Sequence, residues 1–294
     1  MEYKQKYLKY KSKYLSLKKG GFDLKSIIMP QLCFGTAQVN LAVILPLALA
    51  NGYRHIDGAQ GYGARGYEDG QYKNIIRAAI SFIPREELWI TWKAADITLE
   101  GIRKICVELN CVYIDLFLVH FSCGKESDFI EFKKAQDAGL IKFYGVSNCE
   151  NLDTIRSLKE KHNIFANQIQ ARPPKGIVSK RELFSPPNFI EECNKIGVNI
   201  MLFGTMSGIL NSSNMEIFSE PISKYLSSDL INKYYIQKYI LGSNNVLIVS
   251  SITGRSLKGN IDDFNNFIKK EEVLPAEVMT EIENNLETII LNGQ

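Results

Sequence analysis

The segment VYIDLFLVHF, residues 112–121, consists almost entirely of β-branched, aliphatic and aromatic residues. Strands exposed on one face alternate apolar and polar residues, whereas strands of a parallel sheet are buried on both faces and are apolar throughout. The segment therefore predicts a buried parallel strand, with His120 near its carboxyl end.

Further segments of the same character lie on both sides of this strand. They are QLCFGTA (31–37), YRHIDGA (53–59), LWITWKA (88–94), IKFYGVSN (141–148), IFANQIQA (164–171), VNIMLFGTM (198–206) and NVLIVSSIT (245–253). Between the strands lie segments with apolar residues at three- and four-residue spacing, which is typical of amphipathic helices. TLEGIRKICVELN, SDFIEFKKAQDAG and NLDTIRSLKEKH are examples.

Eight strand–helix units over a chain of 294 residues predict an α/β protein with a (β/α)8 TIM barrel, formed as a single domain by residues 28–294. An open doubly wound sheet is the alternative, but no GxGxxG fingerprint follows the first strand. Because catalytic side chains of such barrels gather at the carboxyl ends of the strands, a site is expected there.

The longest apolar run, LAVILPLALA (41–50), is too short to span a bilayer, which takes about 20 residues. It contains Pro46 and predicts a buried helix. The charged N-terminus lacks an apolar region followed by a small-residue cleavage site, so no secretory signal is expected. We therefore expect a cytoplasmic protein without a membrane partner.

The cysteines are scattered, at positions 33, 106, 111, 123, 149 and 193, with no CxxC pair. This pattern predicts reduced, mostly packed thiols, as in a cytosolic protein. Cys123 and Cys149 follow two strand ends, but neither has a resolving partner nearby in sequence, so a redox-sensing role is not favoured. The three histidines lie far apart, and no metal site is predicted.

The net charge of +3 comes from the N-terminal extension, residues 1–27. The first 26 residues hold eight lysines against Glu2 and Asp23, a net +6, so the rest of the chain carries −3. The barrel itself thus shows no nucleic-acid footprint.

The tyrosines of this extension recur at spacings of four, three and four residues, which predicts one face of a helix. They are Tyr3, Tyr7, Tyr10 and Tyr14. Two interpretations stay open: a solvated or disordered extension, or a docking segment for an acidic partner, RNA or a virion component. The extension is similar to lysine- and tyrosine-rich N-termini of giant DNA virus proteins, which would imply a viral protein in the host cytoplasm or the virion.

Polar side chains occur at the ends of consecutive strands, where burial without a partner is costly. Asp57 ends the second strand and Tyr62 follows in its loop, while Lys93 ends the third strand and His120 the fourth. Lys93 requires a counter-charge, which Asp57 on the adjacent strand can supply.

This set of residues has the chemistry of a proton donor. A tyrosine has a reference pKa near 10, and a neighbouring ammonium such as Lys93 is expected to lower it. Asp57 would hold Lys93 charged, and His120 would donate a hydrogen bond to a carbonyl oxygen. Such a site would protonate the alkoxide that forms when hydride attacks a carbonyl.

From about residue 28 to 270 the sequence resembles the aldo-keto reductase family, through the motifs FGTAQ, NGYRHIDGAQGYG, LWITWKA, YIDLFLVHF, GLIKFYGVSNCE and NQIQ. The resemblance implies reduction of an aldehyde or ketone, with NADPH as the favoured cofactor and NADH possible. The catalytic tetrad of the family falls on Asp57, Tyr62, Lys93 and His120.

The resemblance also implies cofactor-binding positions. Those for the nicotinamide fall on Ser147, Asn148 and Gln168, and the ring-stacking aromatic falls on Phe203. Those for the adenosine portion fall on Ser251, Thr253, Arg255 and Asn260.

The sequence departs from the family in four places. Ser250 and Ser256 stand where a lysine and an arginine usually contact the 2′-phosphate. The loop after the fourth strand is short, and little chain remains after the last helix to close over a substrate. A long connection at 207–240 precedes the eighth strand and could cover the cofactor.

Two functions remain possible from these features. The intact tetrad favours a monomeric carbonyl reductase with an open, shallow substrate pocket. The basic extension and short loops are also compatible with a regulatory protein that binds the cofactor but acts through partners, as the potassium-channel β subunits of the family do.

Overall fold

The computed structural model describes residues 28–37, 40–64, 67, 70–170, 189–204, 227, 230, 233, 236–241, 243–249, 254–268, 274–282 and 284. Eight parallel strands form a closed barrel in sequence order, with β8 pairing to β1. The strands are β1 Leu32–Gly35, β2 His55–Ala59, β3 Trp89–Ala94, β4 Ile114–Val119, β5 Ile141–Ser147, β6 Ala166–Gln170, β7 Asn199–Phe203 and β8 Val246–Val249. The predicted (β/α)8 barrel is confirmed.

Helices follow the strands and cover the outside of the barrel. In the described parts of the chain they include α1 Leu41–Ala50, α2 Gln71–Ile80, α3 Leu99–Glu108, α4 Glu126–Asp137, α5 Leu152–His162, α6 Phe189–Lys195 and α7 Gly254–Ile268. Two cap residues show why helices begin where they do, because the side chains of Thr98 and Asn151 accept hydrogen bonds from Gly101 N and Thr154 N.

Helix α1 differs from the prediction of a buried helix. It continues through Pro46, and its apolar side chains at Leu41 and Leu45 are fully buried. Val43 and Leu47, however, are 61% and 40% exposed. The helix lies in the outer layer, so one face packs on the barrel while the other faces away from it.

Alternation along the strands separates two apolar regions. One set of side chains packs between the barrel and its helices, with Phe34, Ile56 and Phe117 as fully buried members. The opposite faces of the strands form a smaller cluster that includes Cys33 and Leu118. Successive side chains of a strand point to opposite faces, so the residues in register with this second cluster point into the barrel.

A charged network ties the amino ends of three strands together. Asp115 on β4 accepts hydrogen bonds from the backbone N–H of Ile90 at 2.9 Å and from Lys142 Nζ at 2.8 Å. The Arg85 guanidinium also pairs with this carboxylate. The network lies at the end of the barrel opposite to the polar carboxyl ends of the strands, and it fixes the frame on which those ends are held.

Candidate active site

An ion pair inside the barrel forms the base of the site. Lys93 Nζ on β3 lies 2.5 Å from Asp57 Oδ2 on the neighbouring strand β2, as predicted. Both side chains are buried, with 1% and 4% exposure. Removal of two charges from water is costly unless they are paired and hydrogen-bonded, so the carboxylate holds the Lys93 side chain in position.

The second oxygen of the same carboxylate is bound from across the barrel. Gln168 Nε2 on β6 donates to Asp57 Oδ1 at 2.7 Å. The backbone carbonyl of Asp57 accepts from the hydroxyl of Thr36, also at 2.7 Å. Asp57 is thus held by three elements of the barrel, and the Gln168 amide predicted to bind the nicotinamide already donates to a protein group.

His120 follows β4 and is held by its backbone, whose N–H donates to the Ala94 carbonyl at 2.8 Å. Burial and, to a lesser degree, the nearby Lys93 ammonium lower the pKa of His120 from 6.5 to about 4, although Asp57 opposes the shift. The imidazole is therefore neutral at pH 7, with one N–H to donate and one nitrogen to accept.

Tyr62 lies in a short 3-10 helix, Tyr62–Ala64, which follows β2. Its ring centroid lies 5.2 Å from Lys93 Nζ. It also makes edge-on contacts with the rings of His120 at 6.0 Å and of Tyr72 at 6.3 Å. All four predicted tetrad residues therefore come together at the carboxyl end of β2, β3 and β4.

The next two strands present polar groups that suit an amide ligand. Ser147, at the end of β5, is buried, and Asn148 follows with its backbone N–H donating to Gln168 O at 2.7 Å. Neither side chain hydrogen-bonds to another described residue. On β6, the buried Asn167 Oδ1 also lacks a partner. Buried polar groups normally find partners, so Ser147 and Asn148 fit the nicotinamide carboxamide of a bound cofactor. Asn167 alternates with Gln168 and lies on the outer face of β6.

The remaining predicted cofactor residues lie elsewhere or outside the described chain. Phe203 ends β7 and is partly buried, with its Cα paired to Gln170. Asn260 lies on α7 near the buried side chain of Tyr53. Ser251 and Thr253 lie outside the described residues, as do the connection at 207–226 and the extension at 1–27. Arg255 is within α7, and its side chain is outside the described part.

The cysteine prediction was wrong at two positions. Cys123, after β4, and Cys149, after β5, form a disulfide, with Cα atoms 4.7 Å apart. The other four cysteines are free thiols, as expected. Parallel pairing of β4 with β5 brings the two strand ends together, although 26 residues separate the cysteines in sequence.

Sequence reasoning also missed Phe121. This residue adopts a left-handed backbone conformation with φ of 67°, and its ring stacks on the His120 imidazole with centroids 3.4 Å apart. Its side chain remains 70% exposed. The position directly after the histidine was the available signal, because a large exposed aromatic at a barrel mouth offers an apolar surface to a ligand.

No group of three or more potential metal ligands occurs within the described residues. In the same part of the chain, no helix is long and apolar enough to cross a membrane.

Comparison with known proteins identifies the family. The model of the aldo/keto reductase family matches residues 31–280, which is most of the chain. The chain belongs to the aldo/keto reductase family. The parallel closed barrel and the position of the site at the carboxyl ends of its strands agree with this membership.

Individual relatives are distant. An uncharacterized oxidoreductase of Schizosaccharomyces pombe is 28% identical over 264 residues, which cover 83% of this chain and 87% of the relative. An aldose reductase structure from Giardia lamblia is similar in fold, with a TM-score of 0.67, 22% identity and coverage of 90% and 93% of the two chains. A Bombyx mori aldo-keto reductase in complex with NADP matches with a TM-score of 0.65, 22% identity and coverage of 87% and 89%.

Proposed function

We propose that this protein reduces an aldehyde or ketone to the alcohol with a nicotinamide cofactor, with Tyr62 as the proton donor. The observation that carries the proposal is the buried Lys93–Asp57 pair at the mouth of the barrel, with the Lys93 ammonium 5.2 Å from the Tyr62 ring centroid. A structural ion pair does not require a tyrosine and a histidine at its open side.

Each residue of the tetrad has a separate role in this reaction. The neutral His120 imidazole donates an N–H to the substrate carbonyl oxygen and orients it. Tyr62 transfers its hydroxyl proton to that oxygen as negative charge develops, and Lys93 stabilises the phenolate that remains. Asp57 holds Lys93 in place, and its own orientation is fixed by Gln168.

The cofactor would lie across the ends of β5 and β6. A reduced nicotinamide supplies the hydride, and its carboxamide would be held by Ser147 and Asn148, whose side chains are available for a ligand. NADPH is the proposed cofactor because the Bombyx mori relative is in complex with NADP. NADH is the alternative, because Ser250 and Ser256 replace two usual phosphate contacts.

The test is turnover of a panel of aldehydes and ketones, followed by the absorbance of the reduced nicotinamide. Tyr62→Phe removes the transferred proton and is expected to lower kcat about 10²- to 10⁴-fold. The matched control is Tyr144→Phe, which removes a hydroxyl that donates to the His162 carbonyl on the outside of the barrel. This control should keep the wild-type rate.

Two outcomes would overturn the proposal. Tyr62→Phe could reduce every carbonyl as fast as the wild type, or the wild type could turn over none of them. Binding of NADPH without any turnover would instead support the regulatory alternative, in which the cofactor site is kept and catalysis is not.

A further inference from the structure

The Cys123–Cys149 disulfide joins the two loops that carry the proposed substrate and cofactor contacts. Cys123 lies three residues after His120, and Cys149 directly follows Asn148. No other covalent bond links the loops after β4 and β5 in the described chain. The state of this bond therefore bears on both halves of the site.

The two cysteines differ in their surroundings. Cys149 is fully buried, and its carbonyl accepts a hydrogen bond from Asn167 Nδ2 at 2.7 Å. Cys123 is partly exposed and follows two exposed residues, Phe121 and Ser122. Cys149 is thus packed against β6, and the disulfide fastens the more exposed loop after β4 to the loop that carries Asn148.

The fastened loop holds an unfavourable backbone conformation. Phe121, in this loop, has a φ of 67°, and Asn148, in the loop after β5, has a φ of 62°. Asparagine tolerates the left-handed region, but a bulky residue such as phenylalanine rarely adopts it. The ring of Phe121 contacts His120 in this conformation, so the surface that faces a substrate depends on a conformation that the loop alone does not favour.

We propose that Cys123 and Cys149 form a reversible redox modification site whose disulfide holds the loops in the arrangement that binds the cofactor. Reduction frees Cys123 from Cys149, Phe121 relaxes, and the fraction of molecules with a competent site falls. The effect of the disulfide on cofactor binding rests on the proposed function, whereas the formation of the disulfide does not.

Glutathione disulfide is a sufficient oxidant for the step. The partly exposed Cys123 thiolate attacks one of its sulfurs, a mixed disulfide forms, and glutathione leaves as a thiolate. The Cys149 thiolate then attacks Cys123 Sγ, the protein disulfide forms, and a second glutathione leaves. The two cysteine thiols lose two protons and two electrons, and one glutathione disulfide becomes two glutathione molecules.

The first experiment measures the modification itself on the full chain. The protein is equilibrated at a series of glutathione to glutathione disulfide ratios, free thiols are trapped with iodoacetamide, and labelled peptides are identified by mass. Cys123 and Cys149 should gain and lose the label together, while the labelling of the partly exposed Cys111 should vary independently of theirs. Labelling of Cys123 at every ratio, or a stable glutathione adduct on it, would overturn the proposal.

The second experiment measures NADPH binding by quenching of protein fluorescence, without a carbonyl substrate. Reduction is expected to weaken binding about tenfold, equivalent to about 1.4 kcal/mol. Cys123→Ser and Cys149→Ala should bind as the reduced wild type does in either condition. Cys111→Ser is the control, since it keeps the cross-link and should respond to reduction like the wild type.

The thermal midpoint gives a further readout, because loss of a cross-link lowers it, here on the order of 5 °C. Equal NADPH affinity in the two redox states, within about twofold, would overturn the coupling of the disulfide to the site. Failure of the proposed function is distinguishable: it appears as absent carbonyl turnover in both states, whereas thiol labelling and cofactor titration report on the disulfide alone.

Discussion

The buried pair of Lys93 and Asp57 allows a quantitative test by a double-mutant cycle. Asp57→Asn keeps the shape of the side chain and its bond from Gln168 but leaves the Lys93 ammonium, 1% exposed, without its carboxylate. Lys93→Met leaves the carboxylate with the hydrogen bond from Gln168 in place of a counter-charge. At 2.5 Å the attraction is about 7 kcal/mol for an effective dielectric constant of about 20, and desolvation of each ion offsets several kcal/mol.

Each single substitution should therefore lower the free energy of unfolding by about 3–5 kcal/mol, because it leaves an uncompensated buried charge. The double variant removes both charges, so it should lower the free energy of unfolding by less than the more damaging of the two single substitutions does. The assay is urea unfolding of the cofactor-free protein, with midpoints compared at equal m-values. The control cycle is Asp137→Asn with Lys133→Met, a pair that is 62% and 60% exposed, where coupling below about 1 kcal/mol is expected.

Additive costs at Asp57 and Lys93, to within about 0.5 kcal/mol, would refute the reasoning. Such a result would mean that the two side chains do not form a desolvated pair, and the positioning role of Asp57 would fall with it. The stability cycle is independent of turnover, so it tests the site even before a substrate is known.

Two further predictions concern the barrel wall and its base. The ring of His55 is held between Pro30 O and Thr91 Oγ1, and desolvation lowers its pKa from 6.5 to about 4. Between these pH values the unfolded chain binds more protons than the folded protein. The free energy of unfolding should therefore fall as the pH drops from 6.5 to 4, by about 3 kcal/mol for this residue. Urea unfolding at pH 7 and 4.5 should show a smaller drop in His55→Asn, and an equal drop would contradict the burial of a neutral ring. Gly145→Ala should destabilise the protein by about 1–3 kcal/mol or more, because its Cβ would lie 2.0 Å from the Ala166 carbonyl oxygen. Gly259→Ala on α7, where nothing lies within 4 Å, is the control and should be neutral or stabilising; equal midpoints for the two variants would contradict the close approach of β5 and β6.

The sequence predicted the barrel because its strands are unusually uniform. A strand such as β4, Ile114–Val119, is buried along its whole length, so an apolar run without alternation identifies it. The helix α1 was harder to predict, since Val43 and Leu47 are apolar and yet exposed. Composition alone does not tell which face of an apolar helix packs on the barrel.

The tetrad was also within reach of the sequence. Asp57 and Lys93 lie on consecutive strands and His120 follows the next one. Parallel strands in sequence order bring their carboxyl ends together. Alternation of side chains along β2 and β3 places Asp57 and Lys93 on the inner faces of these strands. The local pattern and the order of the strands were therefore enough to bring these residues to one place.

Contacts between distant segments depended on the tertiary structure. The bond from Gln168 to Asp57 crosses the barrel between residues 111 positions apart, and the Cys123–Cys149 bond joins loops that follow different strands. The neutral state of His120 follows from its burial beside Lys93. The sequence by itself determined the strands and helices and the residue types at their ends, because both follow from local sequence patterns. Only the closed barrel decided which residues meet across it, such as Gln168 and Asp57, since its curvature and register set distances that no local pattern contains.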